Sequence, residues 1–140
     1  MEQPTAGNAL GLMVLQLGII VRDLEAAIGD YSSLLGIGPF DIMYVDRVGV
    51  RAAVAPLGPV EVELIQPVGD SSPMWNFLGD SQARIHHLGF YISDMDAQVA
   101  RFQELGVEIV QRVQDLGVES TLLDLKKRAG IDFELLHRKP

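Results

Sequence analysis

Ile85-His86-His87-Leu88-Gly89-Phe90-Tyr91-Ile92 decides the fold, because the first half of the chain carries the same pattern as Leu15-Gln16-Leu17-Gly18-Ile19-Ile20-Val21. The offset of 71 that lays Gln16 on His87 also lays Leu17 on Leu88, Gly18 on Gly89, Asp23 on Asp94, Ala26 on Ala97 and Leu34 on Leu105. It holds at the far end of each half as well, placing Glu63 of Val62-Glu63-Leu64-Ile65 on Glu134 of Phe133-Glu134-Leu135-Leu136. A period of this length exceeds the roughly 20–50 residues of a stacking solenoid repeat. It reads as one module used twice inside a single domain, 1–140, with module one at about 9–67, a connection at about 68–84 and module two at about 85–138.

Working outward, Leu15, Leu17, Ile19 and Val21 alternate with Gln16, Gly18 and Ile20, as a strand buried on both faces does. Asp23 stands at a helix N-cap. Leu24, Ile28, Tyr31, Leu34 and Leu35 follow on one helical face, and Gly36 with Gly38-Pro39 ends it. Strands are predicted at 40–48 and 50–56 around a turn at Gly49, and at 60–66 after the Gly58-Pro59 turn. The connection contains Pro73-Met74-Trp75-Asn76-Phe77-Leu78, suited to a short helix. The second module repeats the order: a strand over 85–92, an Asp94-capped helix with Met95, Val99, Phe102 and Leu105 on one face, then strands over 107–113, 118–125 and 131–137, with a turn at 126–130. The class is α+β: two tandem βαβββ modules forming a partly open mixed β-barrel around a concave cleft, helices outside.

Composition narrows the function. With 140 residues the chain is the size of one ordinary domain, and 48% apolar content suits a packed core rather than disorder. A net charge of −8 argues against nucleic acid and against anionic membrane surfaces, both of which need a basic face. The absence of cysteine excludes disulfides, zinc fingers and thiol nucleophiles, and is compatible with a reducing cytoplasm. The longest apolar stretch, 9–21, is interrupted by Gln16 and is too short to span a bilayer, and Met1 to Asn8 reads as a lead-in. The expectation is a cytoplasmic protein without a targeting signal.

Strand parity then singles out four polar residues. If Leu17, Ile19 and Val21 face the first helix, Gln16 and Gly18 face the other way. The same rule puts His87 and Tyr91 on the concave face of module two, and sets Glu63 and Glu134 opposite their apolar neighbours. Two carboxylates buried on one face, without a Lys or Arg of matching parity in these strands, cost several kcal/mol unless a cation joins them. A divalent metal held by Gln16, Glu63, His87 and Glu134 resolves the conflict, and one imidazole among oxygens suits zinc, cobalt, nickel, manganese or magnesium. His86 has the opposite parity and reads as structural or solvent-facing. Tyr91 and Arg51 are weaker candidates for a substrate pocket, while Asp46, Arg47 and Arg51 read first as solvated charges at a hairpin end.

The paired βαβββ modules, opened by Gln16-Leu-Gly-Ile and His87-Leu-Gly-Phe and closed by Glu63 and Glu134, resemble the vicinal oxygen chelate superfamily of glyoxalase I, methylmalonyl-CoA epimerase, extradiol dioxygenases and bleomycin-resistance proteins. The resemblance runs from about Leu15 to His137. The run Val62-Glu63-Leu64-Ile65-Gln66-Pro67, Asp70-Ser71-Ser72-Pro73, Phe77-Leu78 and His86-His87 looks most like the epimerase branch. Gln16 stands where such epimerases usually carry histidine, while glyoxalase I of eukaryotic type uses a Gln, Glu, His, Glu set similar to the one here. Asp124-Leu-Lys-Lys-Arg-Ala-Gly130 replaces the His-Pro-Lys and Gly-Gly pattern often seen before the last strand.

The resemblance implies a metal-dependent epimerase, isomerase or glyoxalase-like lyase that moves a proton beside a carbonyl of a small-molecule substrate through a metal-stabilised enolate. Glu134 and Glu63 are then the candidate proton-transfer residues as well as ligands. A metal-free protein sequestering a small molecule on the same fold is the competing expectation. A homodimer is implied by the resemblance, and unpaired edge strands give a physical reason for one.

Overall fold

The computed structural model describes residues 10, 12–45, 49–115 and 117–138. The expectations for the lead-in and for Asp46 and Arg47 lie outside these residues. Elements run β1 (Met13–Val21), α1 (Leu24–Leu35), β2 (Asp41–Val45), β3 (Val50–Leu57), β4 (Val60–Pro67), α2 (Pro73–Leu78), β5 (Ala83–Tyr91), α3 (Met95–Glu104), β6 (Glu108–Asp115), β7 (Val118–Asp124), α4 (Lys126–Ala129) and β8 (Asp132–Arg138). The class is mixed α+β, and each half reads βαβββ apart from the inserted α2 and α4. Backbone contacts divide the chain into two compact units, one of residues Gln16–His87 and the other of Leu88 onward with the residues up to Leu15. No helix among the described residues is long and apolar enough to cross a membrane.

In the first unit the strand order is β2-β3-β4-β1. β1 pairs parallel with β4, and β3 pairs antiparallel with β4 and with β2. Leu17, Ile19 and Val21 pack with Val62, Leu64, Ala53 and the α1 residues Leu24, Ile28 and Tyr31, as the alternation requires. The other face carries Ile20, Val50 and Ile65, covered by Leu78, Met74, Trp75 and Phe77 of α2. Ser72 caps α2 by accepting from Met74 N, Pro73 takes the first helical position, and the Arg22 guanidinium donates to the carbonyls of Gly79 and Ser81 beyond its end.

In the second unit β7 lies between β6 and β8 in an antiparallel arrangement. Met95, Val99 and Phe102 of α3 pack on Leu123, Leu125 and Leu135, with Phe90 and Phe133 alongside. The 126–130 turn is a single helical turn, α4, ended by Gly130 at φ 87°. Asp132, fully buried at the start of β8, holds it by accepting from Leu125 N at 3.0 Å and from the Lys126 ammonium.

Three expected core positions are not buried. Leu34 is 79% exposed and Leu105 51% exposed, and Leu35 is exposed as well. Each helix outruns the core it covers, and residues just beyond it, Ile37 in the first unit and Val107 in the second, take the buried place.

The repeat is visible in the backbone. Asp23 and Asp94 both have φ −133°, with ψ 105° and 95°, and each accepts from the amide three residues on, Ala26 N at 3.1 Å and Ala97 N at 3.0 Å. Replacing either Asp by Ala is expected to cost about 1 kcal/mol, a fall in Tm of about 4 °C, measured by calorimetry.

Candidate metal centre

Three of the four predicted ligands meet in the first unit. The parallel register sets Gln16 opposite Glu61 and Gly18 opposite Glu63, so these four positions share the face turned away from α1. His87, buried on β5, lays its imidazole directly over Gly18: a Cβ there would stand 2.0 Å from His87 Cε1. His87 Nε2 is 3.1 Å from Gln16 Oε1 and 3.5 Å from Glu63 Oε1.

The hydrogen-bond network assigns the proton positions. Gln16 Nε2 donates to Glu61 Oε1 at 3.0 Å, which leaves Gln16 Oε1 as an acceptor toward His87. His87 Nε2 therefore carries a hydrogen in the metal-free protein. His87 Nδ1 lies 2.9 Å from His86 Nδ1, so in that tautomer His87 Nδ1 accepts a hydrogen bond from the Nδ1–H of His86. His86 is itself buried, edge-on to Phe77 of α2 with ring centroids 5.3 Å apart. Of the two sequence readings for His86, the structural one holds and the solvent-facing one does not.

Burial pushes the Glu63 carboxyl up from 4.5 to about 7, with the Glu61 carboxylate adding to the shift, although 22% of the Glu63 side chain still reaches solvent. A desolvated carboxylate beside an imidazole and an amide oxygen is a donor set for a divalent cation. Donor atoms bonded at 2.0–2.2 Å around one cation lie about 3.0–3.6 Å apart, the range in which the His87 contacts fall. The residue types and spacing fit the cation that the sequence predicts. Among the described residues no three His, Asp or Glu side chains gather, because the amide of Gln16 takes one of the places in this set.

The remaining candidates are placed separately. Glu134 lies in the second unit, on β8 opposite Leu122, with Phe133 and Leu135 turned to α3 on either side of it. It holds the position in module two that Glu63 holds in module one. Tyr91 is in the second unit too, accepting from Arg138 Nη2 at 3.0 Å and lining a shallow pocket of about 340 Å³ with Leu12, Ser93 and Gln98. Arg51 does not join the first-unit set. It shares the parity of Ala53, facing α1, and pairs there with Glu25. The residue that the sequence reading passed over is Glu61, whose signal was its spacing of two from Glu63.

The chain belongs to the glyoxalase/bleomycin resistance protein/dioxygenase superfamily, whose sequence pattern it matches over residues 15–121. It is 31% identical to human mitochondrial methylmalonyl-CoA epimerase over 123 residues, covering 85% of this chain and 70% of that one. It is 27% identical to the uncharacterised Bacillus subtilis (strain 168) protein YqjC over 126 residues, 88% of this chain and 90% of that one. Among solved structures it resembles a Streptomyces coelicolor methylmalonyl-CoA epimerase variant in complex with 2-nitronate-propionyl-CoA, with a TM-score of 0.78 and 25% identity, covering 91% of this chain and 97% of that one.

Two outcomes are expected of the metal-free protein. Gly18→Ala forces the imidazole off its place and costs about 1–3 kcal/mol, and the His87 ring resonances move with it. Glu63 keeps its proton between pH 4.5 and about 7 when folded but releases it when unfolded, so its contribution to stability falls as pH rises through that window. The loss is complete above pH 7, on the order of 3 kcal/mol, and absent below 4.5. Denaturant unfolding at pH 5 and pH 8 is expected to show this fall in wild type and not in Glu63→Gln.

Proposed function

We propose that this chain is a metal-dependent isomerase of the epimerase kind, moving a proton at a carbon next to a carbonyl of a small-molecule substrate. The observation that carries the reading is that His87 Nε2, on a ring laid over Gly18, lies 3.1 Å from Gln16 Oε1 and 3.5 Å from Glu63 Oε1. A divalent cation bound by this set would supply Lewis-acid stabilisation of negative charge on a substrate oxygen.

The chain's own groups do the rest. Glu63, a desolvated carboxyl beside His87, is the group proposed to take and return the proton. His87 is kept in place by His86 behind it and Gly18 beneath it. Glu134 is proposed as the second proton carrier, since an epimerase must deliver the proton to the face opposite the one it was taken from. The epimerase relatives support the direction of this reading.

The competing role, metal-free binding of a small molecule, has one observation in its favour: the first-unit set has only two titratable donors, and no third His, Asp or Glu joins them among the described residues. One experiment separates the two. Protein purified without chelator is analysed for metal, and a panel of 2-substituted thioesters and hemithioacetals is incubated with it in deuterated water. About one divalent cation per chain and metal-dependent exchange of the carbon-bound proton are expected, with His87→Ala lowering cation affinity at least about tenfold and Glu134→Ala lowering exchange. No bound metal, with no exchange across the panel, would leave the binding role.

A further inference from the structure

Glu61 is outside the proposed ligand set, yet its contact decides which end of Gln16 that set receives. A side-chain amide has an oxygen face and an NH2 face of nearly the same shape, and only its partners determine which one points where. The parallel pairing of β1 with β4 puts Gln16 directly opposite Glu61, and Gln16 Nε2 donates to Glu61 Oε1 at 3.0 Å. A carboxylate has no hydrogen to give, so it accepts the NH2 face and repels the oxygen. The oxygen is thereby sent to the other side, 3.1 Å from His87 Nε2. In the reverse orientation an NH2 group would occupy the place where a cation needs a lone pair.

We infer that Glu61 is a positioning residue that fixes the Gln16 amide with its oxygen toward His87 and Glu63, turning a two-faced side chain into an oxygen donor. The inference rests on the metal-centre reading for its consequence but not for its geometry, which belongs to the metal-free chain. It also gives a reason for a second acidic residue on a face that already has a desolvated one. Glu61 and Glu63 lie on the same side of β4, and that proximity is tolerated because Glu61 is tied to the amide.

The test pairs a swap with a measurement on the metal-free protein. In Glu61→Gln the amide at 16 loses its director, and zinc affinity by calorimetry is expected to fall at least tenfold. The fall should persist at high salt, where a loss through distant charge alone would be screened. In the double variant Gln16→Glu/Glu61→Gln the hydrogen bond re-forms in the opposite sense, an oxygen again faces His87, and affinity returns to within a few-fold of wild type. Gln16→Glu alone is the control for the added charge: a merely structural Glu61 predicts that it binds zinc as tightly as the double variant, whereas a positioning Glu61 predicts weaker binding, because two carboxylates then face each other. An unchanged affinity in Glu61→Gln, or equal losses in the single and double variants, overturns the inference.

The Gln16 side-chain amide in wild-type apo-protein, followed by ¹⁵N NMR, is expected to show one hydrogen shifted downfield and slow to exchange. Two averaged, rapidly exchanging signals overturn the inference even if a variant fails to fold. If wild type binds no metal while the amide signature is present, the metal-centre reading fails and the orienting role of Glu61 stands.

Discussion

The first-unit site depends on the missing side chain of Gly18. The His87 ring occupies the volume that any Cβ at that position would need, 2.0 Å from its Cε1. Everything else is placed relative to that ring: the amide of Gln16 from the same strand, Glu63 from the strand beside it, His86 from behind. The arrangement has little tolerance for sliding. A one-residue slip of β1 against β4 would turn the whole polar row into the apolar layer under α1 and bring Leu17 or Ile19 to the imidazole. The apolar packing of Ile19, Val21, Val62 and Leu64 on α1 therefore sets the register, and through it the chemistry on the opposite face.

That opposite face is a compromise. Its inner part, Ile20, Val50 and Ile65 under α2, is as dry as any core, while the strand ends nearer Gln16 carry two carboxylates, an amide and an imidazole. The conflict is met by raising the Glu63 carboxyl to about 7, by tying Glu61 to an amide and by a hydrogen bond between two histidine rings. Such local disagreement between what folds well and what is present marks a place where function is being held against stability.

Much of this was legible in the sequence, because strand parity and a fixed offset are strong constraints. Alternation alone put Gln16, Gly18 and Glu63 on one face, and the repeated Asp caps located both long helices. What parity could not supply was register. Glu61 has the same parity as Glu63, but only the pairing of β1 with β4 reveals that it faces Gln16 rather than solvent. Arg51 shares the parity of Ala53 and pairs with Glu25 toward α1, a partner that reading its own strand did not name. His86 was read from its own strand, and its burial comes from Phe77 on an inserted helix that the repeat does not contain. Leu34 and Leu105 show the limit of helical periodicity, which identifies a face but not where the core beneath it stops.

The offset that relates the two modules has a further meaning at one place. Gln16 and His87 are equivalent positions, 71 residues apart, and they touch each other. In a chain made by duplication this is a contact between a residue and its own copy, so an ancestor with identical halves would have met itself there: amide against amide or imidazole against imidazole. The present pair is unlike, an amide against an imidazole, and it brings an oxygen and a nitrogen donor within 3.1 Å of each other. Because the two positions touch, a substitution at either one changes the surroundings of the other.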